Sequence, residues 1–165
     1  MRAASFFSGI LVGSASIGAG ILKLFQTQMV KEIPSPKSFE ETCKAIEEVI
    51  PQFAGRGWGF PIDKWNFYKV FEDKDIKIRD IRKLTVYFVC NAKLEAKVIN
   101  TNSAMAGIMP CSWAVMEKTD EKIYISKMNI DLMAKMFSGE IKEAMLEVAR
   151  TEKEMLRMMF DGEVV

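Results

Sequence analysis

Residues 3–22, AASFFSGILVGSASIGAGIL, contain no charged side chain, with Arg2 before them and Lys23 after them. As a helix rising about 1.5 Å per residue, this 20-residue run would measure about 30 Å, the thickness of a bilayer's hydrocarbon core. The competing reading is an export signal, with Arg2 as its basic start, residues 6–12 as a short apolar core and Ser14, Ser16, Gly18 and Gly20 as small cleavage positions. The apolar pattern resumes beyond them at Ile17, Ile21, Leu22, Leu24 and Phe25, which favours a spanning anchor. The chain therefore reads as a transmembrane anchor or uncleaved signal over 1–25 and a soluble domain over 26–165.

Within the run, Gly9 and Gly13 form a G-x-x-x-G pair, and Ser14 and Gly18 repeat the spacing on an adjacent face. Small residues four apart let helices approach closely in lipid, so this face is a candidate for pairing with a second copy or with another subunit. Arg2 on one side and Lys23, Lys31 and Lys37 on the other leave the positive-inside bias undecided. A short N-terminal tail before a single span places the domain on the exported side.

Charge and composition narrow the chemistry. The 23 basic and 22 acidic residues nearly cancel, which argues against a nucleic-acid partner. Histidine is absent from the sequence. That removes Ser-His-Asp and Cys-His catalysis, imidazole zinc sites and histidine-ligated haem. Three cysteines, Cys43, Cys90 and Cys111, are too few and of the wrong parity for a disulfide framework. Twelve methionines raise Cu(I) handling, since thioethers suit soft cations. With no clustered Met-x-x-Met run, they read as adaptable core or interface, and no metal site is assigned.

An apolar content of 49% supports a packed core in one domain. Residues 30–33 read as a strand ended by Pro34 and Pro36. Ser38 with Glu41 is a capping box opening a helix whose stripe runs Phe39, Cys43, Ile46, Ile50 and Phe53. Cys43 lies on that stripe as a buried small hydrophobe. Gly55, Gly57 and Gly59 alternate without the spacing of a phosphate loop and predict a turn. Residues 62–71 predict a short helix, and the charged run that follows a solvated turn or strand edge.

Residues 84–90 are the clearest strand, with Leu84, Val86, Phe88 and Cys90 on one face, taken as inward. Asn91 is placed to cap a helix over 92–99, with Lys93 and Glu95 solvated. Residues 106–109 predict an extended run ended by Pro110. A strand then carries Cys111, Trp113 and Val115 on one face, turns at 118–122, and returns over 123–127. From Asn129 the pattern is helical. The last helix has Ile141, Met145, Val148, Met155 and Met159 on one stripe, together with Glu152, a carboxylate that suggests a less buried or partner-docking surface.

CNAKLEAKVI (90–99), GIMPCSWAVME (107–117) and KIYISKMNIDLMAKMF (122–137) together resemble the family known as domain of unknown function 302. Its members show a strand ending in Cys-Asn-Pro, a helix, a Leu-Pro-Cys strand, a hairpin and an Asp-Pro opening of a later helix. Ala92 stands where the proline is usual, and Asn129, Ile130 and Asp131 replace the Asp-Pro step. The resemblance implies a compact α+β domain, often dimeric, and no established reaction.

Two functional classes follow. One is a membrane-anchored, non-catalytic binding or assembly module, an accessory subunit of a respiratory or sulfur-handling membrane complex, present as a homodimer or in a larger assembly. The other is a thiol-based redox or metal- or cofactor-binding protein built on Cys90 and Cys111, with Asn91 and Trp113 beside them. A helix opening just after Cys90 would favour its thiolate through the helix dipole.

Overall fold

The computed structural model describes Lys23 and residues 27–162. The anchor expectation at 3–22, with Gly9, Gly13, Ser14 and Gly18, lies outside the described residues. Among those described, no helix is long and apolar enough to cross a membrane.

The architecture is α+β: an antiparallel sheet whose helices pack against one face and one end. Its strands are β1 (Val30–Ser35), β2 (Trp58–Gly59), β3 (Trp65–Asn66), β4 (Ile81–Asn91), β5 (Cys111–Lys118) and β6 (Ile123–Met128). They lie in the order β1-β6-β5-β4-β2, with β3 also pairing β4. β1 runs through Pro34 rather than stopping there. It lies at the sheet edge, where a proline without an amide hydrogen is tolerated.

Helix α1 (Phe39–Val49) opens on the expected capping box. The Ser38 hydroxyl oxygen accepts from the Glu41 amide at 3.2 Å, and the Glu41 carboxylate accepts from the Ser38 amide at 3.0 Å. Ser38→Ala is expected to cost about 1 kcal/mol of stability, read as a shift in urea midpoint at unchanged slope. A 3₁₀ turn (Ile50–Arg56) follows and ends at Gly57, whose φ of 91° lies in the left-handed region.

The segment expected as a helix over 62–71 divides into β3 and α2 (Tyr68–Glu72). Trp65 and Asn66 pair with Val86 and Thr85, and the Asn66 side chain accepts from the Lys69 amide, so the helix starts only after the strand. Helix α3 spans Ala92–Thr101 and is followed by a second 3₁₀ turn, Ser103–Ile108. That turn replaces the extended run expected over 106–109. The Asn102 side chain accepts from the Ala104 amide and starts the tight turn.

Two helices complete the chain: α4 (Ile130–Ala134) and the 21-residue α5 (Gly139–Met159). The C-terminal half of α5 and α1 cover the sheet face bearing Tyr87, Val89, Trp113, Val115 and Ile125. Its N-terminal half packs with Val98, Met105, Ile130 and Met133 in a second cluster at the sheet's end. The two clusters meet along Leu94 and Val148, which pack against both.

The covered face of β4 is thus the one expected to point outward. Tyr87, Val89 and Asn91 are buried, whereas Leu84, Val86, Phe88 and Cys90 are half-buried on the opposite side. The larger correction concerns Glu152. Rather than marking a less buried or partner-docking stretch, it is 1% exposed, because the sheet supplies partners for its carboxylate.

Candidate functional site

Asn91 joins the end of β4 to the start of α3. Its side-chain oxygen accepts from the Leu94 amide at 3.2 Å, capping the helix as expected, and its amide donates to the Arg56 carbonyl at 3.0 Å. A Cβ on Gly57 would come within 3.2 Å of the Asn91 side-chain oxygen. Glycine therefore suits that position both for its backbone angle and for space.

Cys90 and Cys111 come from neighbouring strands but are offset in register. Cys111 lies opposite Val89, so the pleat directs the Cys90 side chain to the other face of the sheet. All three cysteines are free thiols. The Cys90 thiol donates to Glu95 Oε2 at 2.8 Å. Glu95 is consequently half-buried rather than solvated, while Lys93 is exposed as expected. Burial, then the Glu95 carboxylate, pushes the Cys90 thiol up to about 12. Burial, then the charges of Glu152 and Glu95, pushes Cys111 up to about 12 as well, against a smaller opposing effect of Lys127. Burial also raises Cys43.

These surroundings oppose the thiolate that a helix N-terminus would favour. From an ordinary value of 9.0 to about 12 is three pH units, or about a thousandfold less thiolate at neutral pH. Alkylation by iodoacetamide at pH 8 is expected to be slower at Cys90 and Cys111 than in the urea-unfolded chain by about that factor, measured by mass mapping. Because both thiols bind their protons more tightly in the folded state, stability is expected to be intact below pH 9. It should fall as pH rises from about 9 to about 12.

Cys111 faces an apolar crevice between the end of the sheet and the second cluster. Asn91, Leu94 and Glu95 form one side, and Ala144, Met145 and Val148 of α5 another. Met105, Met109 and Met128 contribute further wall, so that four methionines and one cysteine are among the lining residues. The crevice has a volume of about 50 Å³. Among the described residues, no group of three or more His, Cys, Asp or Glu side chains is placed to hold a metal ion. Of the four site residues expected from the sequence, Asn91 and Cys111 line the crevice, whereas Cys90 and Trp113 do not.

Trp113 belongs instead to a buried polar trio behind the crevice. Its Nε1 donates to Glu152 Oε1 at 3.0 Å, and Glu152 Oε2 lies 2.7 Å from Lys127 Nζ. The Lys127 and Glu152 side chains are 7% and 2% exposed. Lys127 is the cross-strand neighbour of Trp113, places its Nζ 6.0 Å from the indole and also donates to the Met128 carbonyl. The ion pair borders a cleft of about 270 Å³ that also includes Asp131 and Lys153, themselves ion-paired. Reading the sequence missed Glu95, Lys127, Glu152 and the joint role of the four methionines. Lys127 did carry a signal, since it continues the inward alternation of Ile123 and Ile125.

The fold and site define a small α+β domain with an apolar crevice whose lining includes Cys111 and four methionines. The model of the family described as "Domain of unknown function DUF302" matches residues 31–161, and the chain belongs to that family. It is similar to an uncharacterized protein of Aquifex aeolicus (strain VF5), 25% identical over 84 residues, covering 48% of this chain and 58% of the relative. The chain thus matches less than two thirds of that relative's length. It also shares its fold with the crystal structure of an uncharacterized conserved DUF302 protein from Bacillus stearothermophilus, at a TM-score of 0.63 and 18% identity. That match covers 81% of this chain and 97% of the other.

Proposed function

We propose that this protein is a non-catalytic binding module, held at a membrane by residues 3–22, that takes a small occupant into the crevice beside Cys111. The support is the lining itself: apolar and thioether side chains, with Asn91 and Glu95 as its few polar members. Asn91 is committed to the α3 cap and the Arg56 carbonyl, and Glu95 accepts from the Cys90 thiol. The high thiol values at Cys90 and Cys111 weigh against thiol exchange as the principal activity. In this proposal the module is an accessory subunit of a respiratory or sulfur-handling complex, facing the exported side, with Gly9 and Gly13 on the pairing face of its anchor.

Mild-detergent extraction of the full chain from its native membrane, followed by intact-mass measurement, tests this. The expected result is a larger assembly that dissociates on Gly9→Leu/Gly13→Leu, with a small occupant retained by the subunit. Recovery of a lone monomer with no additional mass would overturn the proposal.

A further inference from the structure

We propose that the crevice is a binding site for a soft monovalent cation of the Cu(I) type, held by Cys111 and the methionine thioethers around it. This rests on reading the crevice as the ligand site and names the class of ligand. Five sulfur-bearing residues, Met105, Met109, Cys111, Met128 and Met145, line one crevice, and they come from a 3₁₀ turn, the stretch after it, two strands and a helix. Four of the methionines border the same crevice as Cys111.

Size and charge then decide between occupants. About 50 Å³ is far below the roughly 300–1,000 Å³ of sites for drug-sized organic ligands. It accommodates an ion stripped of its water. Thioethers are neutral and soft; a bound Cu(I) has to displace the Cys111 proton that burial holds tightly, and the resulting thiolate neutralises a monovalent ion but leaves a divalent one in excess. Carboxylate-preferring cations such as Mg²⁺ and Ca²⁺ would find a single carboxylate in the lining, Glu95. Binding is written as Cu⁺ plus the Cys111 thiol giving a Cu–S bond and one released proton, with no change in oxidation state.

The test uses the full chain in detergent, reduced and anaerobic, titrated with Cu(I) against the chromophoric chelator bathocuproine disulfonate. Wild type is expected to hold one Cu(I) per chain, with sulfur as the only neighbour in X-ray absorption and no comparable retention of Zn²⁺. Cys111→Ala, and separately Met109→Leu/Met145→Leu, should weaken retention by at least about 10- to 100-fold, the cost seen when even outer-shell support of a metal is lost. Cys43→Ala should leave retention unchanged. Thermal midpoints of all variants show which of them fold, and the near-isosteric Met→Leu pair keeps the test open if Cys111→Ala does not. Retention unaffected by the Cys111 and methionine changes, or lost with Cys43→Ala, would overturn the metal site. If the natively extracted protein carries a different small occupant, the metal assignment fails and the binding module stands. If the crevice is empty there and takes no Cu(I), both fail.

Discussion

Glu152→Ala is expected to destabilise the domain by about 3–5 kcal/mol, because it leaves the Lys127 ammonium buried without its counter-charge. The Lys127 side chain is 7% exposed, so water offers little compensation, and its remaining bond is to the Met128 carbonyl. Lys127→Ala should cost a similar amount by stranding Glu152, whose Oε1 would retain the Trp113 donor while Oε2 lost its ion-pair partner. Replacing both charges together, as Lys127→Met/Glu152→Leu, is expected to be far milder than either single change, and neutral or stabilising where the apolar side chains pack well. Urea unfolding of the four proteins closes the cycle, and the slopes show whether the unfolding transition stays comparable. Single-variant costs below about 1 kcal/mol would mean that water reaches the pair and that it behaves like a surface bridge.

That pair also shows where sequence and structure part. Lys127 and Glu152 each occupy an apolar position in their own element: Lys127 on the inward alternation of β6, Glu152 on the stripe of α5. Taken singly, each charge reads as a gap in burial, and Glu152 was expected to mark an exposed or docking stretch. Their complementarity becomes visible only when β6, β5 and α5 are stacked, which places Trp113 and Lys127 side by side under the helix. Local signals fared better. The Ser38 box, the Asn91 cap and the hairpin after Lys118 depend on interactions a few residues apart, and the fold realises each of them.

The inward face of β4 was misassigned for a related reason. Leu84, Val86, Phe88 and Cys90 alternate as strongly as Tyr87 and Val89, so hydrophobicity alone selects neither set. In the fold, Tyr87 and Val89 join the core with Trp113, Val115 and Ile125, and the Tyr87 hydroxyl donates to Glu47 Oε1 at 2.6 Å on α1. The crevice was equally unreadable along the chain, since Met105, Met109, Cys111, Met128 and Met145 share no period and meet only in three dimensions. Short-range chemistry is legible from spacing; a site assembled from five separate places needs the topology first.

Trp113→Ala is expected to cost about 3–5 kcal/mol, the range for removing a large aromatic from a core that collapses only in part. Trp113 is fully buried, between Tyr87 on β4 and Lys127 on β6 in cross-strand register. Alanine would leave a void over the centre of the covered face and remove the donor to Glu152 Oε1. Trp113→Phe separates these effects, since it keeps most of the ring volume and loses the indole N–H. It should cost about 1–3 kcal/mol, the penalty of a buried acceptor left without its donor. Combining Trp113→Phe with the charge-free Lys127→Met/Glu152→Leu background should recover most of that cost, because no carboxylate remains to be stranded. A phenylalanine variant as stable as wild type, or one whose cost is unchanged in that background, would place the whole contribution of Trp113 in packing and leave Glu152 held by Lys127 alone.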